Sequence, residues 1–111
     1  METVRLADFD ARTLRRSGSY AVAFLADWCG FCRDFVPRFR ALEPLEACTL
    51  AIVDVTDQDN PLWERFSIEV VPTVIGFVEG ELGWRRDGVL GEGLGEVDLG
   101  AIRGHCRARR R

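Results

Sequence analysis

The sequence predicts an α/β fold: a central mixed sheet of about five strands flanked by four helices. Three observations carry that expectation. Residues 20–26, 49–55 and 73–78 are nearly continuous apolar runs, as in strands buried on both faces. The segments between them carry helical spacing of apolar residues. After the third run, Glu79-Gly80 is a turn signal, and residues 82–86 return antiparallel as a hairpin. The order is βαβαβαββα, and 111 residues suit a single domain over residues 1–111.

Each element has a local reason. Residues 3–6 form a short edge strand. Asp8 is placed to cap a helix through Leu14, with Phe9 and Leu14 as its apolar stripe. Ser17-Gly18-Ser19 breaks that pattern before the first long strand. A second helix starts near Gly30. Phe35, Phe39 and Leu42, spaced four and three apart, give it one apolar face, widened by Val36 and Leu45. Pro37 lies inside this helix, where a missing N–H predicts a kink, and Pro44 ends it or opens a loose last turn. Asp59-Asn60-Pro61 opens a short third helix through Leu62, Trp63 and Phe66. Gly88, Gly91, Gly93 and Gly95 make a loop, and Val97, Leu99 and Ile102 anchor a last helix.

Composition narrows the function classes. The net charge is −3, and all fifteen basic residues are Arg, so no lysine is available as a mobile charge or proton donor. The arginine-rich end, residues 107–111, reads as a solvated helix terminus, and an acidic chain is not expected to bind nucleic acid. No apolar run is long enough for a membrane span. The N-terminus carries early acids and no long apolar centre, so a cytoplasmic, monomeric protein is expected. In that reducing setting, cysteines are expected to be catalytic, metal-binding or inert.

Trp28-Cys29-Gly30-Phe31-Cys32 is the most informative stretch. Its two cysteines fall where a strand ends and a helix begins. A thiol there meets the positive end of the helix, which favours the thiolate that attacks disulfides. A Cys-x-x-Cys in a βα setting reads first as a redox pair. Zinc would need two more ligands, and only Cys48, Cys106 and His105 remain, none in a matching arrangement; no metal is expected. Cys48 and Cys106 read as separate, buried, inert thiols. Trp63 and Trp84 read as packing or surface residues.

The chain resembles the thioredoxin family over nearly its whole length. The resemblance rests on Ala26-Asp27-Trp28-Cys29-Gly30-Phe31-Cys32, on Pro37 five residues past the second cysteine, and on Val71-Pro72-Thr73, whose proline lies forty residues beyond Cys32. Phe77, Gly80 and Gly88 also fall at the family's aromatic, hairpin and loop positions. The resemblance implies a thioredoxin fold and a thiol–disulfide oxidoreductase that reduces protein disulfides. Cys29 would be the exposed attacking thiol and Cys32 the enclosed resolving one. Pro72 would follow a cis peptide facing Cys29 and leave the Val71 backbone free to pair with an extended client. Trp28, Gly30, Phe31, Gly88 and Val89 would border the same groove. The implied partners are disulfide-containing proteins and a thioredoxin-reductase-like electron donor, with no cofactor.

Two departures shape the expectation. Phe31 stands where the family usually has proline, adding a backbone N–H and an apolar surface. Ala23 and Ile52 stand where the family commonly has a buried acid and a lysine, so the usual proton acceptor for Cys32 is missing. Water or a carboxylate such as Asp54 is the substitute to look for. Slow resolution would suit a binding or chaperone-like module, and a third reading is a more oxidising disulfide oxidase or isomerase.

Overall fold

In the computed structural model, which describes residues 1–107, the chain runs β1 (Glu2–Thr3), a 3-10 turn (Leu6–Asp8), β2 (Phe9–Asp10), β3 (Thr13–Leu14), β4 (Ser19–Leu25) and α1 (Gly30–Arg40). It continues through β5 (Thr49–Asp54), α2 (Leu62–Arg65), β6 (Thr73–Val78), β7 (Glu81–Arg86) and α3 (Glu96–His105). Most of the arginine-rich end, residues 108–111, lies outside the described residues. The main sheet has the order β1-β5-β4-β6-β7. β1, β5 and β4 run parallel; β6 is antiparallel to β4, and β7 to β6. This is the expected mixed sheet of five strands.

The continuous apolar runs have their cause in this order. β4 is central, and its residues 20–24 are buried because both faces of the sheet are covered. On one face Phe9, Phe24, Phe66 and Phe77 pack with ring centroids 5.5–6.3 Å apart, mostly tilted or edge-on. On the other, Phe35 and Phe39 of α1 pack with Leu99 and Ile102 of α3 over Ala21, Ala23 and Leu50. The β6–β7 turn has φ 49° at Glu79 and φ 86° at Gly80, the paired positive φ of a tight hairpin. Gly80 is required twice over, since a Cβ there would lie 2.6 Å from the Leu14 carbonyl oxygen.

Two expectations about helices are corrected. There are three α-helices among the described residues, not four, because the segment expected as a first helix holds the end of the 3-10 turn, Leu6–Asp8, and a small hairpin over residues 9–14. Phe9 and Leu14 are five residues apart, which on a helix would separate them by roughly 140°. Paired directly across β2 and β3, both point into the core. Asp8 therefore caps no following helix; it ends the 3-10 turn, and its carboxylate reaches back to accept the Arg5 N–H at 2.8 Å, the first cause of its lowered pKa. In α3, Leu99 and Ile102 anchor the helix as expected, but Val97 is 79% exposed. It sits two positions before Leu99, hence on nearly the opposite side.

A third correction concerns Cys48 and Cys106. They are not separate inert thiols but form a disulfide, with Cα atoms 5.0 Å apart. The start of β5 and the end of α3 meet at the end of the sheet where β4 and β5 begin. That contact spans 58 residues, which neither cysteine's local sequence reveals.

Candidate functional site

Sheet register brings three loops to one edge. Phe24 pairs with Thr73, so the end of β4 lies beside the start of β6. Val74 pairs with Arg86, so the segment after β7 lies beside the segment before β6. Residues 27–32, 70–72 and 87–93 therefore converge at one end of the molecule.

Cys29 is the N-cap of α1, in extended conformation, and its Sγ accepts the Cys32 backbone N–H at 3.1 Å. Its thiol donates to the Val71 carbonyl at 3.4 Å. Both cysteines are free thiols and both are largely enclosed, but Cys29 is 7% exposed and Cys32 2%. The difference follows from position, since Cys32 lies in the first turn of α1, over the core. Burial, reinforced by the neighbouring Cys29 sulfur, pushes the Cys32 thiol up to about 12. Ala23 is fully buried and offers no proton acceptor. Next to Cys32 lies a cavity of about 260 Å³ with Leu25, Val36 and Ile52 in its walls; Asp27 and Asp54 are the carboxylates that border it.

The walls of the site are built from the same loops. The Trp28 indole is half-exposed and stacks on Trp63, with centroids 6.2 Å apart and planes 9° from parallel. Trp28 Nε1–H donates to the Thr56 carbonyl and Trp63 Nε1–H to the Val55 carbonyl, each at 3.0 Å. Thr56 also accepts the Asp27 N–H at 2.8 Å, and its hydroxyl donates to Asp54. The arm before Cys29 is thus pinned to the loop after β5. Gly30 is exposed, and a Cβ there would meet only the tip of Arg33 at 3.7 Å.

Opposite Cys29, the Val71–Pro72 peptide is cis, as expected; Glu43–Pro44 is cis as well. Thr73 Oγ1 donates to the Val70 carbonyl at 2.6 Å and accepts the Gly88 N–H at 3.3 Å, which ties the β7 exit to the proline loop. Gly88 sits so close that a Cβ would lie 2.4 Å from the Pro72 carbonyl oxygen. Val89 exchanges backbone hydrogen bonds with Gly93, at 3.0 and 2.8 Å, closing a small turn whose Val89 and Leu90 side chains face outward. Phe31 lies against Gly93 with its ring partly exposed.

A sequence model of the thioredoxin family matches residues 1–94. The chain belongs to the thioredoxin family. It is 26% identical over 91 residues to a thioredoxin of Rhodospirillum rubrum, covering 81% of this chain and 88% of the relative. It is 34% identical over 70 residues to thioredoxin 1 of Chlorobaculum tepidum, covering 62% and 69%. Among solved structures it is similar to thioredoxin f from spinach chloroplast, with a TM-score of 0.74 over 96% of this chain and 86% of that one; at 18% identity this likeness shows the fold. Within the thioredoxin family, a chain with this pair of neighbouring thiols is a disulfide oxidoreductase.

The thioredoxin-like edge holds Trp28, Cys29, Gly30, Phe31, Cys32, Val71, Pro72, Gly88 and Val89 together. Sequence reasoning missed Trp63, Thr56 and Gly93. In sequence Trp63 reads as a packing or surface residue, and only its stacking on Trp28 makes it a wall of the site. Trp63 lies in α2, far from Trp28 in the chain, and no local signal joins the two.

Proposed function

We propose that this protein reduces disulfides of client proteins in the cytoplasm, as a monomer acting through one domain, and is re-reduced by a thioredoxin-reductase-like donor. No helix among the described residues is long and apolar enough to cross a membrane. In the reaction, Cys29 thiolate attacks one sulfur of the client disulfide, and the client's other sulfur leaves as thiolate. Cys32 then gives up its proton and attacks Cys29 Sγ. The second client thiolate leaves, and a Cys29–Cys32 disulfide remains. Two electrons pass to the client.

The observation that carries this reading is the Cys32 N–H aimed at Cys29 Sγ, on the less buried of the two thiols. That donor stabilises charge on the sulfur both when it attacks and when it leaves. The client would lie extended beside the Val71 main chain, between Trp28 on one side and Phe31, Gly88 and Val89 on the other, with Gly30 leaving room for its backbone. Insulin reduction with dithiothreitol tests this: Cys29→Ser is expected to lose the catalysed rate, and equal activity in the two proteins would refute it.

A second reading, a client-binding module with slow turnover, draws on one observation. The space next to Cys32 is mainly apolar, and Ala23 and Ile52 supply neither acid nor base. It predicts mixed disulfides that persist in the wild-type protein.

A further inference from the structure

We propose that Cys48–Cys106 is a second redox centre, opened by an anionic low-molecular-weight thiol that attacks Cys48 Sγ from a cavity walled by Trp84, His105 and Arg107. The site is independent of the first. β4 and β5 are parallel, pairing Tyr20 with Thr49 and Leu25 with Asp54. Cys48 precedes β5 and Cys29 follows β4, so the two centres lie at opposite ends of the sheet. A six-residue strand alone spans roughly 20 Å. Within one chain, Cys29 does not reach the bridge, and an outside thiol must act.

The bridge offers one sulfur to that thiol. Cys106 is fully buried, whereas Cys48 is partly exposed and lines a cavity of about 580 Å³. That size suits a small peptide-like molecule. Trp84 and His105 stack there in parallel, with centroids 4.4 Å apart, and make a flat wall beside the sulfur. Gly76 permits the arrangement, since a Cβ at that position would lie 2.0 Å from the Trp84 ring. Arg107 contributes a cation, and no carboxylate is among the described residues that line the cavity. A thiol bearing carboxylates is attracted there, and a cationic thiol is not.

The chemistry balances without another oxidant. The thiolate attacks Cys48 Sγ, the Cys48–Cys106 bond breaks, and Cys106 leaves as thiolate and takes up a proton. A second thiolate attacks the outer sulfur of the mixed disulfide and releases Cys48. Two small thiols become one small disulfide, and the bridge gains two electrons. Opening it unties the end of α3 from the start of β5. Leu99 and Ile102 of α3 pack in the same layer as Phe35 and Phe39 of α1, the helix that carries Cys32.

The test uses reduced glutathione as the probe on the full, oxidised chain, with acid quenching, cleavage at arginine and mass mapping. Cys29 and Cys32 share one fragment, and Cys48 and Cys106 fall in two others. The expected result is a glutathione adduct on Cys48 and none on Cys106. Bridge opening by glutathione should be several-fold faster than by cationic cysteamine at equal thiolate concentration, and Arg107→Glu should abolish that preference. Cys29→Ser/Cys32→Ser should give the same Cys48 result. The proposal is overturned by a bridge absent from the oxidised protein, or closed in glutathione until denaturant is added. It is equally overturned by adducts on Cys106, or by a preference that survives Arg107→Glu.

Discussion

Phe31 lies across Gly93 so closely that a Cβ on the glycine would fall 2.8 Å from Phe31 Cβ. Gly93 also has φ +71°, a conformation other residues adopt at a cost of about 1–3 kcal/mol. Phe31, one of the two residues between the cysteines, is thereby braced by the turn that Val89 and Gly93 close. Gly93→Ala is expected to lower stability by about 1–3 kcal/mol in denaturant titration. It should also raise KM for a protein disulfide more than it lowers kcat, because it moves the wall and not the sulfurs.

The raised Cys32 value sets a pH dependence. Burial, the first cause of that shift, persists when Cys29 is tied up in a mixed disulfide, so resolution should climb without a plateau from pH 6 to 9 in stopped-flow measurements. Ala23→Asp, which places a carboxylate where none exists, should speed resolution at neutral pH. The stability sign follows from the same shift. Folding raises this thiol from 9.0 to about 12, so its contribution to the reduced protein is full below pH 9 and is lost as the pH rises toward 12.

Phe66 touches Phe9, Phe24 and Phe77 and is fully buried. Phe66→Ala is expected to cost about 3–5 kcal/mol, read from the denaturant midpoint, because the three rings around it belong to separate strands and cannot collapse together.

The central sheet was legible because strands covered on both faces leave an unmistakable apolar run: residues 73–78 were placed to the residue, and β4 and β5 to within one. Both cysteines of the pair, their helix and the facing Val71-Pro72 loop were legible from spacing and resemblance. Residues 8–14 were not, since two apolar residues five apart fit a helical stripe loosely and a hairpin pair well, and only the packed sheet decides. The Cys48–Cys106 bridge and the Trp28–Trp63 stack were hidden for one reason: each joins segments distant in sequence that only the topology brings together.

The most direct test of the account is mechanism-based trapping with Cys32→Ser. Cys29 retains its sulfur and its place at the helix cap, while the resolving sulfur is gone. Incubated with a disulfide-bonded client and mapped by mass, the variant is expected to accumulate a mixed disulfide joining the client to Cys29. Failure to trap any client, or a client joined to Cys48 or Cys106 instead, would contradict it.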